Sequence, residues 1–467
     1  MGYADELERH DAALFKRGDA GRLHVGTLLI FEGPPPTADE LRAHVRARLS
    51  ASPRTRQRVV DPPIGPLRWI DDPTFNLDYH LRRAALPRPG TDELLERNVA
   101  RILSTPLDVT KPLWELWVIE GLNHGHFAIL AKTSYALVER GVAVDLVTAL
   151  FADRPSQEAL RWLPRPAPSD AQLAAMGAGS LANRLLQAPL SAASIARKPT
   201  ALAHSVARHT AVAVAETALR RGRDDRPLHS SGGQQRAFST VTLPLDELRV
   251  VRDRFGGTIH DAVVASIAGG VRRWRHAQGL RAHGLSVSAL VPIAKRGEDG
   301  GVRLDPIEMP LPLHRADPVE SLRAVQAATA RAVESGDALG ADEIARMYRF
   351  AAPTVLADAT RLAAGGDGRA ILIANVPGPR ETRELFGRAL LAVFPIMPLT
   401  GERGLAAAAV SYNGSIRIGL TADPVTIPDV DELSTEIVRT ADFLVERAKR
   451  ATRPRRAPGT APTTPAS

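Results

Sequence analysis

Thirteen histidines and no cysteine set the first limit on the chemistry open to this 467-residue chain. Without thiols there is no disulfide staple, thiolate nucleophile, iron–sulfur cluster or cysteine zinc site, so any metal would fall to His, Asp or Glu, and none is expected. His260 stands beside Asp261 where Thr258 and Asp261 form a capping pair for a helix running to Trp274. An imidazole in a first helical turn feels the positive end of the helix dipole, which lowers its pKa and leaves a neutral ring able to accept a proton. The same position also suits a histidine that only hydrogen-bonds nearby backbone. His124 and His126 read as loop residues, since His126 lies nine positions before Tyr135, roughly 30 Å of extended chain.

Ser134 and Tyr135 close the apolar stretch that begins at Phe127, and Glu139 and Arg140 follow. Alternation along a strand puts Phe127, Ile129, Ala131, Thr133 and Tyr135 on one face and Ser134 on the other. A buried phenol titrates above its free value of about 10 and is not a base at neutral pH. Ser134 lacks an adjacent base, which argues against a serine-hydrolase mechanism. Glu139 beside Arg140 reads as a solvated ion pair at a strand-to-helix corner, with a shielded pair as the alternative. No glycine-rich phosphate loop is present, so a kinase or a nucleotide-dependent oxidoreductase is unsupported.

The elements that must position these groups follow from length and pattern. A composition of 44% hydrophobic and 24% charged residues is that of a soluble globular protein, and the length predicts two domains. Apolar runs at 23–32, 127–135, 239–245, 285–292 and 370–376 predict strands, and helical periodicity appears at 37–49 and 91–104. Trp69 to Leu81 is expected to be extended. Leu405 to Tyr412 and Ser415 to Leu420 flank Asn413-Gly414, a hairpin turn. The expected organisation is an α/β domain at 1–163, a helical crossover at 164–235, a second α/β domain at 236–450 and a disordered basic Pro/Ala/Thr tail at 451–467.

The net charge of +8 is concentrated at the end of the chain, in Arg447, Lys449, Arg450, Arg453, Arg455 and Arg456. With aromatics at 4% there is no basic strip able to stack bases, and nucleic acid is not an expected partner. The absence of an 18-residue apolar run and of a signal peptide predicts a cytoplasmic protein. Basic residues of the crossover leave peripheral contact with the inner membrane face or a lipid droplet open.

In order, His24-Val25-Gly26, Asn76-Leu-Asp-Tyr-His80, Pro106-Leu-Asp108, Pro112-Leu-Trp114-Glu115, Leu290-Val-Pro292, Asn375-Val-Pro-Gly-Pro379 and Ser411-Tyr412 with Gly414 resemble the bacterial wax ester synthase/diacylglycerol acyltransferase family. The resemblance runs from about Asp11 to Ala448. It implies two similar α/β domains of the coenzyme A-dependent (chloramphenicol acetyltransferase-like) acyltransferase type, enclosing a tunnel at their interface. It also implies acyl-CoA as co-substrate or ligand with no bound cofactor, and diacylglycerol or a fatty alcohol as acceptor. In this family a His-His-x-x-x-Asp-Gly motif at the end of a buried strand supplies the base. Here Ser134 and Tyr135 stand at the two histidine positions, Tyr135 at the catalytic one, with Glu139 for the Asp and Arg140 for the Gly. A gapped register instead keeps Gly141 as the motif glycine. His260-Asp261 occupies the family's Asn-Asp pair. The expectation is a family member without the usual base that binds lipid or acyl-CoA or regulates a relative. The alternative is an active diacylglycerol or alcohol O-acyltransferase with His260 as replacement base.

Overall fold

Two apolar runs, His24–Phe31 and Phe127–Ser134, are buried along almost their whole length, which marks them as inner strands covered on both faces. In the computed structural model they pair antiparallel, from His24 opposite Ser134 to Phe31 opposite Phe127. The structure describes residues 4–49, 53–137, 146–151, 162–196, 228, 230, 232–280, 287–296, 302–333, 371–376, 378–379, 381–401 and 403–452.

In chain order the elements are α1 (Arg9–Arg17), β1 (His24–Phe31), α2 (Ala38–Arg46), β2 (Gln57–Val60), β3 (Arg68–Asp71), α3 (Leu77–His80), β4 (Leu81–Ala85), α4 (Asp92–Ser104), β5 (Trp114–Glu120), β6 (Phe127–Ser134), α5 (Leu146–Leu150), α6 (Asp170–Ala196) and β7 (Ala237–Pro244). There follow α7 (Leu245–Phe255), α8 (Ile259–Ala277), β8 (Val287–Arg296), β9 (Val302–Leu311), α9 (Pro318–Val333), β10 (Ile371–Val376), β11 (Glu384–Leu385), β12 (Arg388–Ile396), β13 (Leu405–Tyr412), β14 (Ser415–Ala422) and α10 (Val430–Thr452). They build two six-stranded sheets, ordered β11-β12-β1-β6-β5-β4 and β7-β14-β13-β10-β8-β9, beside a β2-β3 ribbon.

The signals read from sequence act locally as physics requires. Thr258 and Asp261 form a complete capping box at α8, satisfying amides that the first turn leaves without partners. Asn413 and Gly414 carry φ of +46° and +71°, as a two-residue turn between the paired Tyr412 and Ser415 demands. Helices α7 to α10 cover one face of the second sheet, where Val264, Ile267, Ile418 and Leu433 share a core. Of the expected crossover, α6 is the described helix.

Three expectations change. The segment 69–81 is not extended throughout: after β3, Asn76 accepts a hydrogen bond from the Asp78 amide and caps the helical turn α3. Strand β6 ends at Ser134 and the chain turns into a 3-10 segment, Tyr135–Leu137, so strict alternation does not extend to position 135. Finally, residues 384–396, placed by sequence within a second domain, belong to the first sheet, where β12 pairs with β1 from Gly26 opposite Ile396 to Phe31 opposite Leu390. The reason lies in the partners: Leu385, Leu390 and Val393 pack with Leu29, Phe31 and Trp114.

The sheets meet along two apolar seams. Leu23, Val25, Met397 and Leu399 pack on Leu372, Ala374 and Ala406 of the second sheet. Phe238 of β7 enters the cluster of Val99 and Ile102 from α4 with Phe394 from β12.

Candidate active site

Strand β6 brings Ser134 to the interior, fully buried, and anchors it on three sides. Its amide donates to Leu113 O at 2.9 Å, its hydroxyl donates to Ala20 O at 3.0 Å, and the same oxygen accepts from the Ala136 amide at 3.4 Å. The hydroxyl proton is committed to a backbone carbonyl and, among the described residues, the structure gives it no hydrogen bond to an imidazole or carboxylate, so a nucleophilic role finds no support in the geometry. Tyr135 opens the 3-10 turn that follows; Glu139 and Arg140 lie outside the described residues.

Two histidines that sequence reasoning treated only as parts of motifs sit beside this strand end. His24 is the cross-strand partner of Ser134, buried, with Nδ1 lacking a hydrogen-bond partner. Burial first, then the charges of Lys132 and Arg236, hold it well below the usual imidazole range. Lys132, also fully buried, donates to Ile102 O at 3.0 Å and to Thr105 O and approaches Glu115 at 3.6 Å. It therefore satisfies carbonyls at the C-terminal end of α4, where a cation is favoured, and burial lowers its pKa against the pull of Glu115.

On the other side, Trp114 starts β5 opposite Thr133. Its indole N–H donates to Thr55 O at 2.7 Å, and the His80 ring stacks on it with centroids 4.4 Å apart. Asn76–His80 and Pro112–Glu115, separate signatures in sequence, are thus one packed unit. The same holds for Asn375–Pro379 and Ser411-Tyr412: the Gly378 amide donates to Ser411 Oγ at 3.1 Å, and a Cβ on Gly378 would fall 2.0 Å from Ser411 O.

His260 occupies the first turn of α8, half-buried. Burial lowers its pKa and the neighbouring Asp261 charge opposes the shift, so the ring is neutral at pH 7. It takes no hydrogen bond from Ser134 or from any other described residue. Asp261 is committed to the cap: its Oδ2 accepts from the Thr258 amide and hydroxyl, both at 2.8 Å. Its Oδ1 is buried without a partner. Among the described residues no group of three His, Asp or Glu could hold a metal. No helix among them is long and apolar enough to cross a membrane.

Two six-stranded sheets, the first completed by β11 and β12 from the C-terminal half, make a two-lobed α/β architecture. The description "Wax ester synthase/diacylglycerol acyltransferase catalytic domain" matches residues 7–263, and "WS/DGAT C-terminal domain" matches residues 301–442. The chain belongs to the wax ester synthase/diacylglycerol acyltransferase family. It is 29% identical over 457 residues to the Mycobacterium tuberculosis protein named "Probable diacyglycerol O-acyltransferase tgs1", covering 96% of this chain and 97% of that one. It is 33% identical over 272 residues to the protein named "Probable diacyglycerol O-acyltransferase tgs3" from the same organism, covering 53% and 96%. The fold is that of the wax ester synthase/diacylglycerol acyltransferase from Marinobacter aquaeolei VT8, with a TM-score of 0.63, 21% identity and coverage of 95% and 100%. The first condensation domain of the CDA synthetase shares it at a TM-score of 0.55, 15% identity and coverage of 96% of each chain.

Proposed function

We propose that this chain holds an acyl-CoA and a neutral acceptor, a diacylglycerol or a fatty alcohol, in a passage at the junction of the two sheets, without the imidazole base of its family. As a lipid or acyl-CoA binder of this kind it serves to sequester ligand or to regulate an active relative. Membership of the family and the names of its mycobacterial relatives support the ligand class.

The observation that carries the reading is Ser134. Transfer to an alcohol forms a C–O bond and breaks the thioester C–S bond, and the hydroxyl proton must reach a base before it ends on the coenzyme A thiol. At position 134 the side chain is a hydroxyl already donating to Ala20 O, and at 135 it is a phenol. Loss of a general base costs on the order of 10²–10⁴ in rate, leaving proximity and orientation. A second reading rests on His260, neutral and half-buried at the head of α8, as proton acceptor for a working O-acyltransferase.

Turnover of radiolabelled palmitoyl-CoA with diacylglycerol or hexadecanol separates the two. The first reading expects Tyr135→His to raise turnover by on the order of 10²–10⁴ over wild type, the range of a general base. Wild-type turnover abolished by His260→Ala, with the fold intact, establishes the second reading instead. Robust wild-type turnover that survives both substitutions overturns both.

A further inference from the structure

His80 ends α3 and directly precedes β4. Strand β4 pairs in parallel with β5 only from Leu81 opposite Leu116 onward, so the carbonyl of Trp114 has no backbone partner on that side. His80 Nδ1 donates to it at 2.8 Å, and the imidazole adds one rung to the ladder where the backbone cannot. The ring is held on both faces and at its edge. Trp114 stacks at 4.4 Å, Phe75 at 5.4 Å, and Tyr79 meets it edge-on at 5.1 Å.

Donation through Nδ1 fixes the tautomer, with Nε2 bearing the lone pair, and no described residue hydrogen-bonds Nε2. Burial, outweighing the opposing Trp114 carbonyl and the charges of Glu115 and Asp72, lowers the pKa to about 4. The Arg82 charge adds to the lowering. The imidazole is therefore neutral throughout the physiological range.

What it braces is the strand end described above. Trp114 faces Thr133, and the preceding carbonyl, Leu113 O, receives the Ser134 amide. We propose that His80 is a positioning residue: through Trp114 it fixes where β6 ends and the chain turns at 135, and so fixes the seat of the acyl-CoA thioester. This inference rests on the reading that acyl-CoA is held at that strand end.

The test is calorimetric titration of the full chain with palmitoyl-CoA below its micellar concentration, for wild type, His80→Phe and His80→Asn. Phenylalanine keeps a stacked ring without the donor; asparagine keeps a donor in a smaller side chain. His80→Phe is expected to weaken binding about tenfold and His80→Asn to recover most of that loss, with far-UV circular dichroism unchanged. Should His80→Phe fail to fold, long-range ¹H–¹⁵N spectra of the wild-type imidazoles carry the test. The His80 resonances must shift as palmitoyl-CoA saturates the protein. Wild-type binding with unchanged affinity in His80→Phe, or with unmoved His80 resonances, overturns the positioning role alone. No wild-type binding overturns the acyl-CoA reading and this inference with it.

Discussion

Glu96 is the residue whose environment departs furthest from what its place in the sequence announces. It lies among the apolar positions of α4, buried, and accepts hydrogen bonds from the Thr240 amide at 2.7 Å and the Thr240 hydroxyl at 2.6 Å on β7 of the other sheet. Ser239 Oγ is 3.4 Å away. Burial raises its pKa to about 7 against those donors, and the charges of Asp431 and Asp92 push the same way. An acid whose folded pKa is raised binds more protons folded than unfolded. Its contribution is therefore complete below about pH 4.5 and is lost as pH climbs through 7, amounting to roughly 3 kcal/mol. Urea melts at pH 5 and pH 8 should show this loss in wild type and a much smaller one in Glu96→Gln, which keeps an oxygen acceptor without the charge. Equal slopes in both proteins would exclude Glu96 as the source. Residue-scale features were the least legible in sequence. Glu96 and His80 answer to Thr240 and to Trp114 O, partners distant along the chain, and neither spacing nor periodicity reveals a backbone group as partner. By contrast the Thr258–Asp261 cap, a local interaction, was readable outright.

At the scale of elements, the apolar runs were readable as strands because burial on both faces leaves a nearly unbroken apolar sequence. Which sheet a run joins was not readable. Arg388–Ile396 is apolar enough for either sheet, and its place beside β1 is decided by side chains elsewhere. Tyr412 at the end of β13 is one of them. Its hydroxyl donates to Leu390 O at 2.9 Å and accepts from the Arg383 amide at 3.0 Å, tying the β11–β12 hairpin to an inner strand of the second sheet. Tyr412→Phe leaves a buried carbonyl and amide without partners and should cost about 2 kcal/mol. Hydrogen exchange should quicken at Arg383 and Leu390 before it does in β6. Uniform loss of protection across the chain would argue against a local tie. The end of β6 shows the opposite failure of sequence reading: alternation was carried one residue too far, since nothing in Thr-Ser-Tyr marks the turn to 3-10 geometry.

Considered whole, the molecule does not divide where its sequence suggests. The first sheet owes β11 and β12 to the C-terminal half, and a fragment of residues 1–235 would expose β1, almost wholly buried along its length, as an unprotected edge. Produced alone, that fragment should be insoluble, and co-production with residues 236–467 should recover soluble complex. A soluble 1–235 fragment with a cooperative melt would show that β12 is dispensable. The family and the two-sheet architecture were legible from dispersed motifs because those motifs are the packed contacts themselves, as at Gly378 against Ser411.

The shared strand also limits how far the two sheets can move apart. Were the halves connected by linkers alone, they could part like a clamshell. With β12 stitched to β1 from Gly26 to Phe31, that strand travels with the first sheet, and gaping would break the Tyr412 hydroxyl's bonds to Leu390 O and the Arg383 amide and open the apolar seams.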